Sequence, residues 1–280
     1  MEILTNPASM RAWRRAQFSS IGLVPTMGYL HDGHLSLVAA SKERDERTVV
    51  SIFVNPTQFG PGEDYERYPR DEVQDLSLLE AAGVAAVYLP APGEMYPEGY
   101  QTYVSVEQVT ESLEGKARPG HFRGVATVVL KLFNTVEPDR AYFGRKDAQQ
   151  LRVIRRMVRD LDVPVDVVAC PIVREEDGLA MSSRNVYLTP EQRRAAPVIF
   201  RSLEEARHRF EAGIRDSTAL REMTRRMLAG ESHGEVEYVS LADDASLVEF
   251  DGVVSGPALL SVVVRFGKTR LLDNLELSPE

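Results

Sequence analysis

The 280-residue sequence contains one cysteine, Cys170, one tryptophan and five histidines. A single thiol cannot close an internal disulfide or build a multi-cysteine metal site. Cys170 lies in the apolar run at residues 165–173, where a buried and inert thiol is expected. No apolar stretch reaches the roughly 18–20 residues that a transmembrane helix requires, so no membrane partner is expected. The opening Met1-Glu2-Ile3-Leu4-Thr5-Asn6 has neither the basic residues nor the apolar segment of a secretory signal. Together these features predict a cytoplasmic protein. Positive charge is also scarce: 33 Lys and Arg against 42 Asp and Glu leave a net charge of −9. That balance argues against a nucleic-acid partner, because cation–phosphate contacts supply most of such affinity. The pairs Arg14-Arg15, Arg155-Arg156, Arg193-Arg194 and Arg225-Arg226 are expected to coat solvated helix faces. A small phosphate-bearing ligand remains compatible with an acidic chain, since a few local cations suffice to hold it.

What is present is an alternation of short β-branched runs with helical spacings over the first 170 or so residues. Strands are predicted at residues 21–24, 48–54, 84–89, 140–143 and 165–169. Helices are predicted at 34–46, 71–82 and 122–136, and another from near Asp147. In this last helix Leu151, Ile154, Val158 and Leu161 form an apolar stripe, and Pro164 marks its end. Such alternation implies a Rossmann-like, doubly wound parallel sheet of the α/β class. Past about Arg174 the pattern changes. Thr189, Pro190 and Gln192 occupy the N-cap, N1 and N3 positions of a helix start, predicting one long helix to about Glu211. A further helix is expected at 217–228, and strands at 236–241 and 259–266. Two domains follow from this reading: residues 1–172, and a smaller α+β domain at 173–280 acting as a lid.

Three segments could carry chemistry. The first is Val24-Pro25-Thr26-Met27-Gly28-Tyr29-Leu30-His31-Asp32-Gly33-His34, placed between the first of these strands and its helix. A helix N-terminus offers unpaired N–H groups and the positive end of a dipole, which suits phosphate. The glycines let backbone approach a ligand, and His31 and His34 would add imidazole donors. The second is Phe143-Gly144-Arg145-Lys146-Asp147, with Lys146 set to meet a phosphate and Asp147 a ribose. The third, Gly178-Leu179-Ala180-Met181-Ser182-Ser183-Arg184-Asn185, gathers two hydroxyls and a guanidinium after a glycine, as a mobile polyphosphate clamp would. Each alone would equally suit a polar turn, and Asp147 a helix N-cap.

Taken in order, His31-Asp32-Gly33-His34 and Met181-Ser182-Ser183-Arg184 resemble the paired signatures with which the nucleotidylyl-transfer superfamily grips ATP. The likeness narrows with Asn55-Pro56-Thr57-Gln58-Phe59, Tyr68-Pro69-Arg70, Arg118-Pro119-Gly120-His121-Phe122-Arg123-Gly124 and Gln149-Gln150-Leu151. This set is similar to the pantothenate synthetase (pantoate–β-alanine ligase) family. The resemblance implies condensation of pantoate with β-alanine at the expense of ATP, through a pantoyl-adenylate, releasing pyrophosphate and then AMP. It implies ATP contacts at Met27, Gly28, Tyr29, Leu30, His31, Asp32, Gly33 and His34, with His34 as a proton donor. Gly144, Arg145, Lys146, Asp147, Val173, Met181, Ser182, Ser183 and Arg184 would complete that set. Among these, His31, His34, Lys146, Ser182, Ser183 and Arg184 would carry the charge stabilisation that phosphoryl chemistry needs. Gln58 and Gln150 correspond to pantoate ligands, with Asn55 and His121 lining the same cavity. Magnesium is expected with ATP, with Asp75 as a candidate contact, and the family implies a homodimer. The sequence departs from the family pattern at Arg145, Ala148 and Gln74.

Overall fold

The computed structural model describes residues 1–279. The chain divides into two compact units, one of Met1–Arg145 with Gln150–Pro171 and one of Lys146–Gln149 with Ile172–Glu280.

The first unit holds strands β1 (Glu2–Leu4), β2 (Ile21–Thr26), β3 (Arg47–Ile52), β4 (Ala86–Tyr88), β5 (Arg140–Gly144) and β6 (Asp166–Cys170). Its helices are α1 (Pro7–Arg15), α2 (Asp32–Arg44), α3 (Glu72–Ala81), α4 (Pro92–Met95), α5 (Leu113–Ala117), α6 (His121–Val136) and α7 (Ala148–Asp160). The strands form one parallel sheet in the order β1-β4-β3-β2-β5-β6. This is the doubly wound arrangement expected. Alternate residues of each strand feed opposite faces of the sheet. Ile21, Leu23 and Val49 join a core with Trp13 of α1, Phe122 and Phe133 of α6, and Ile154 of α7. Val24, Val50 and Ile52 join another with Leu37 and Val38 of α2 and Leu79 of α3. Fully burying each such side chain contributes about 1.5–3 kcal/mol.

Chain order reverses at β2: the path runs outward through β3 and β4, then returns to place β5 on the other side. A crevice outside the carboxyl ends of the strands at such a switch point is where ligands bind in open α/β sheets. The carboxyl ends of β2 and β5 lead into the first two of the three segments singled out above.

In the second unit, α8 (Pro190–Ala195), α9 (Val198–Glu211) and α10 (Ser217–Ala229) accompany an antiparallel sheet of β7 (Glu235–Asp243), β8 (Ala258–Phe266) and β9 (Thr269–Leu277). The capping box of Thr189 and Gln192 forms as expected. The single long helix does not: it stops at Ala195 and restarts at Val198, because Pro197 has no N–H to continue the ladder. The apolar stripe of α7 also differs at its end. Leu151 and Ile154 are buried and Val158 packs against the same core, with Met157 buried beside them, but Leu161, beyond the helix, is exposed.

Candidate active site

The first segment is a tightly braced turn. Gly28 has φ +81°, and a Cβ there would lie 2.9 Å from Asp75 Oδ2 and 3.0 Å from Ile52 Cγ2. Only glycine fits this combination of conformation and space. Thr26 Oγ1 accepts from Gly28 N at 3.2 Å and donates to Ser51 O at 2.8 Å. Asp75, buried on α3, accepts from Tyr29 N at 2.8 Å and Leu30 N at 2.7 Å. Burial pushes its carboxyl pKa up, against the pull of those two N–H groups. Both Asp75 oxygens thus brace the turn, an internal role beside the magnesium contact expected of this residue. Among the described residues no group of three or more His, Cys, Asp or Glu could hold a metal ion.

His31 is the N-cap of α2 and His34 its N3 residue, and the two close a capping box. Gly33 N donates to His31 Nδ1 at 3.1 Å, and His31 N donates to His34 Nδ1 at 3.3 Å. A ring that accepts at Nδ1 carries its proton, when neutral, on Nε2. Helix capping therefore fixes both tautomers and makes both Nε2 atoms donors. The rings lie 4.1 Å apart, centroid to centroid. Asp32 and Gly33 form the first turn of the helix behind them.

A buried polar network follows β3. Asn55 donates through Nδ2 to Gln58 Oε1 and to Gly124 O, both at 3.1 Å. Its Oδ1 accepts from Tyr96 Oη at 2.8 Å, and burial raises the Tyr96 pKa to about 12, which keeps that hydroxyl a donor. Gln58 Nε2 donates to Met27 Sδ at 3.2 Å, so the glutamine and the glycine turn are in contact. Gly124 lets α6 approach: a Cβ there would sit 2.4 Å from Thr57 O. His121 Nδ1 donates to Gln58 O at 2.9 Å, and its Nε2 lies 3.2 Å from an Arg118 nitrogen. Burial first, then the Arg118 charge, lowers the His121 pKa to about 4, so the ring is neutral near pH 7. Arg118 is held in turn by Glu63 at 2.6 and 2.7 Å. Burial would raise the Glu63 pKa, but the hydrogen bond and charge of Arg118 outweigh it and hold the carboxyl below its ordinary value. Asn55, Gln58 and His121, expected in one cavity, thus share one network. Gln150, half-buried on α7, shares no hydrogen bond with it.

In the second unit one pocket brings together Lys146, Ser182 and Arg184, with Arg270 and Asp273 of β9 beside them. Lys146 Nζ stands 3.8 Å from Asp147 Oδ1. Val173 O accepts from Met181 N at 3.0 Å, so these two residues pair across a hairpin whose strands also bridge Arg174 to Ala180. Ser182 caps the following 3-10 turn, Ser183–Tyr187, accepting from Arg184 N at 3.3 Å, and Ser183 is buried. In the first unit Gly144 ends β5, and Arg145, the next residue, is exposed.

The sequence reading missed the braces: Asp75 under the glycine turn, Glu63 behind Arg118, and Asp273 with Asn274 on β9. A signal for the last pair was present. Two consecutive residues of a strand point to opposite faces, so one of this polar pair must face the core side, and both are in fact buried.

Comparison with known proteins bears on the whole chain. The model of the family described as pantoate-beta-alanine ligase matches residues 2–276. A pantothenate synthetase of Chloroflexus aurantiacus is 56% identical over 280 residues, covering 100% of this chain and 99% of that protein. The crystal structure of pantothenate synthetase from Thermus thermophilus superposes with a TM-score of 0.95 at 48% identity, covering 100% of both chains. That of a pantoate-beta-alanine ligase from Francisella tularensis, complexed with beta-gamma ATP and beta-alanine, gives 0.83 at 33% identity, covering 98% of this chain and 97% of that one. With its sheet order, glycine turn and polar network in place, the chain belongs to the pantoate-beta-alanine ligase family.

Proposed function

We propose that this enzyme forms pantothenate by adenylating pantoate with ATP and passing the acyl group to β-alanine. The carboxylate of pantoate attacks the α-phosphorus of ATP, and the bond to the β-phosphate breaks to release pyrophosphate. The amine of β-alanine then attacks the acyl carbon and AMP departs. The observation that carries this reading is the paired capping of His31 and His34. It makes two Nε2–H donors at a helix N-terminus without requiring either ring to be charged. His34 donates toward the phosphate that accumulates charge, and His31 supports it. The backbone of Met27, Gly28, Tyr29 and Leu30 lies against the nucleotide, held rigid by Asp75. Lys146, Ser182, Ser183 and Arg184 supply cation and hydroxyl donors for the polyphosphate, with Gly144, Arg145, Asp147, Val173 and Met181 as further contacts. The beta-gamma ATP and beta-alanine bound by the Francisella tularensis relative support the choice of co-substrates.

Gln58 and Gln150 hold pantoate. An amide offers both a donor and an acceptor, which fits a molecule with hydroxyls and a carboxylate. Asn55 holds the Gln58 side chain and His121 its backbone carbonyl, and both line the same cavity. Magnesium would enter with ATP as its counter-ion, with Asp75 the candidate protein contact. On the family likeness the enzyme works as a cytoplasmic homodimer, for which sedimentation gives the direct measure. No helix among the described residues is long and apolar enough to cross a membrane.

The test is ATP–pyrophosphate exchange across a panel of small carboxylic acids. Exchange should appear with pantoate in the absence of β-alanine, while AMP release should require both. Exchange that requires β-alanine would exclude a free adenylate stage. Gln150→Ala should lose roughly 1–3 kcal/mol of pantoate recognition with ATP affinity unchanged, as calorimetry would show. The reverse pattern would remove Gln150 from the pantoate site.

A further inference from the structure

The last strand supplies a group of buried contacts that the proposed chemistry does not use directly. Asn274 Nδ2 donates to Lys146 O at 2.7 Å, across 128 residues of sequence. Its own N–H donates to Asp273 Oδ1 at 2.8 Å. Asp273 is paired with Arg174 through both oxygens, at 2.6 and 3.1 Å, and its side chain is only 2% exposed. Arg174 also donates to Gly178 O at 3.0 Å and lies over the Phe200 ring at 4.1 Å. A bidentate, half-stacked guanidinium has little freedom to move. Arg174 opens the hairpin that closes at Ala180 and delivers Ser182 and Arg184. Two adjacent side chains of β9 therefore fix both arms of the pocket that holds Lys146, Ser182 and Arg184.

We propose that Asp273 and Asn274 are positioning residues for the adenylation step. Asn274 sets the Lys146 backbone, and Asp273, through Arg174, sets the hairpin leading to Ser182 and Arg184. The inference rests on the reading that these three residues bind the polyphosphate. Buried polar side chains cost stability unless their partners are well placed, so a strand that buries two in succession holds geometry as well as fold. Neither residue touches substrate in this scheme. Their effect passes through Lys146 and the hairpin, and should fall on the half-reaction in which pyrophosphate leaves.

The experiment separates the two half-reactions in full-length protein. Asn274→Ala removes the donor to Lys146 O, and Asp273→Asn keeps the shape of the carboxylate while removing its charge. Pantoate-dependent ATP–pyrophosphate exchange should fall on the order of 10- to 100-fold in Asn274→Ala, the scale of losses from misplaced catalytic groups. Attack of β-alanine on chemically prepared pantoyl-adenylate should stay within about twofold of wild type, since no pyrophosphate takes part in it. In a Lys146→Ala background, Asn274→Ala should add little further loss, because the two act as one unit. Wild-type exchange in a folded Asn274→Ala protein would overturn the proposal. So would equal losses in both half-reactions, which general loosening of the fold would give. Persistent exchange in Lys146→Ala alone would instead overturn the polyphosphate reading, and the positioning role with it. Should Asn274→Ala fail to fold, Asn274→Asp, nearly isosteric but with no donor for Lys146 O, is read in the same way, as is Asp273→Asn.

Discussion

In the first unit the contacts around the two histidines are mostly to backbone: N–H donors meet both rings, and Asp75 accepts from two amides of the same turn. In the second unit the hairpin leading to Ser182 and Arg184 is held by charge. Arg174 pairs with buried Asp273, and Arg193 pairs with Glu175 and Asp177 at the surface. Capping hydrogen bonds are short-ranged and insensitive to salt, so they suit groups whose protonation and direction must not change. Exposed ion pairs such as those of Arg193 tolerate adjustment and respond to ionic strength, whereas the buried Arg174–Asp273 pair is screened far less and holds its geometry. The contrast divides a fixed element from an adaptable one, and substitutions in each should fail differently.

The largest expected effect belongs to the fixed element. His34→Ala should lower the exchange rate by about 10²–10³, the scale seen when one donor to a developing oxyanion is lost. Stability should fall by only about 1 kcal/mol, since His34 also accepts the His31 amide in the capping box. A folded His34→Ala enzyme with near wild-type turnover would remove it from the chemistry and leave it as a cap.

A second test uses pH. The His121 pKa is about 4 in the fold, against an ordinary value of 6.5. Between those values the unfolded chain binds a proton that the folded one refuses, so stability rises with pH across the window. It is lost as pH falls from about 6.5 toward 4, and below that both states are protonated and the loss stops. The full difference amounts to about 3 kcal/mol. Urea unfolding of wild type and His121→Gln at pH 7 and pH 4.5 should show a smaller acid loss in the variant. Parallel losses would mean that other groups, among them the paired carboxyl of Glu63, account for acid sensitivity.

Much of the first unit is legible in the sequence because its chemistry is local. β-Branched runs bounded by turn residues mark β2 through β6, and a glycine turn before a helix marks the histidines. β1 leaves no such mark, since three residues with only Leu4 buried carry no periodicity; α1 leaves a mark of another kind, an Asn6 N-cap before Pro7, with Met10 and Trp13 in the core. The break at Pro197 is written in the sequence as a proline inside a helical pattern, but the strong capping box before it favours reading one long helix. The braces are illegible for another reason. Asp75 contacts residues 45 and 46 positions away, and Asn274 reaches back 128. No spacing in one sequence encodes such pairings, which emerge only once the topology brings the strands and helices together.

The smallest expected effect tests the adaptable element. The sequence suggests that residues 176–186 form a mobile clamp, since a charged, glycine-containing stretch is poorly suited to burial. The structure gives those charges partners: Arg193 meets Glu175 at 2.6 Å and Asp177 at 2.5 Å, with side chains 29–40% exposed. Asn185 adds a bond to Glu175 at 2.9 Å. Pairs this exposed are screened by water and salt, so Arg193→Ala should cost at most about 1 kcal/mol in unfolding free energy, and less in high salt. Its visible effect should be local. Hydrogen exchange over residues 176–186 should quicken in the variant without ligand, and an ATP analogue should restore protection as Arg184 and the two hydroxyls gain charge-assisted bonds to phosphate. Those bonds would offset the entropy of ordering the loop, and closure would keep water from the proposed adenylate until the amine arrives. In wild type the same analogue should slow exchange less, because Arg193 already holds part of the loop. Equal protection with and without the analogue in both proteins would make the segment a static wall, and the contrast between the two units would then rest on Arg174 and Asp273 alone.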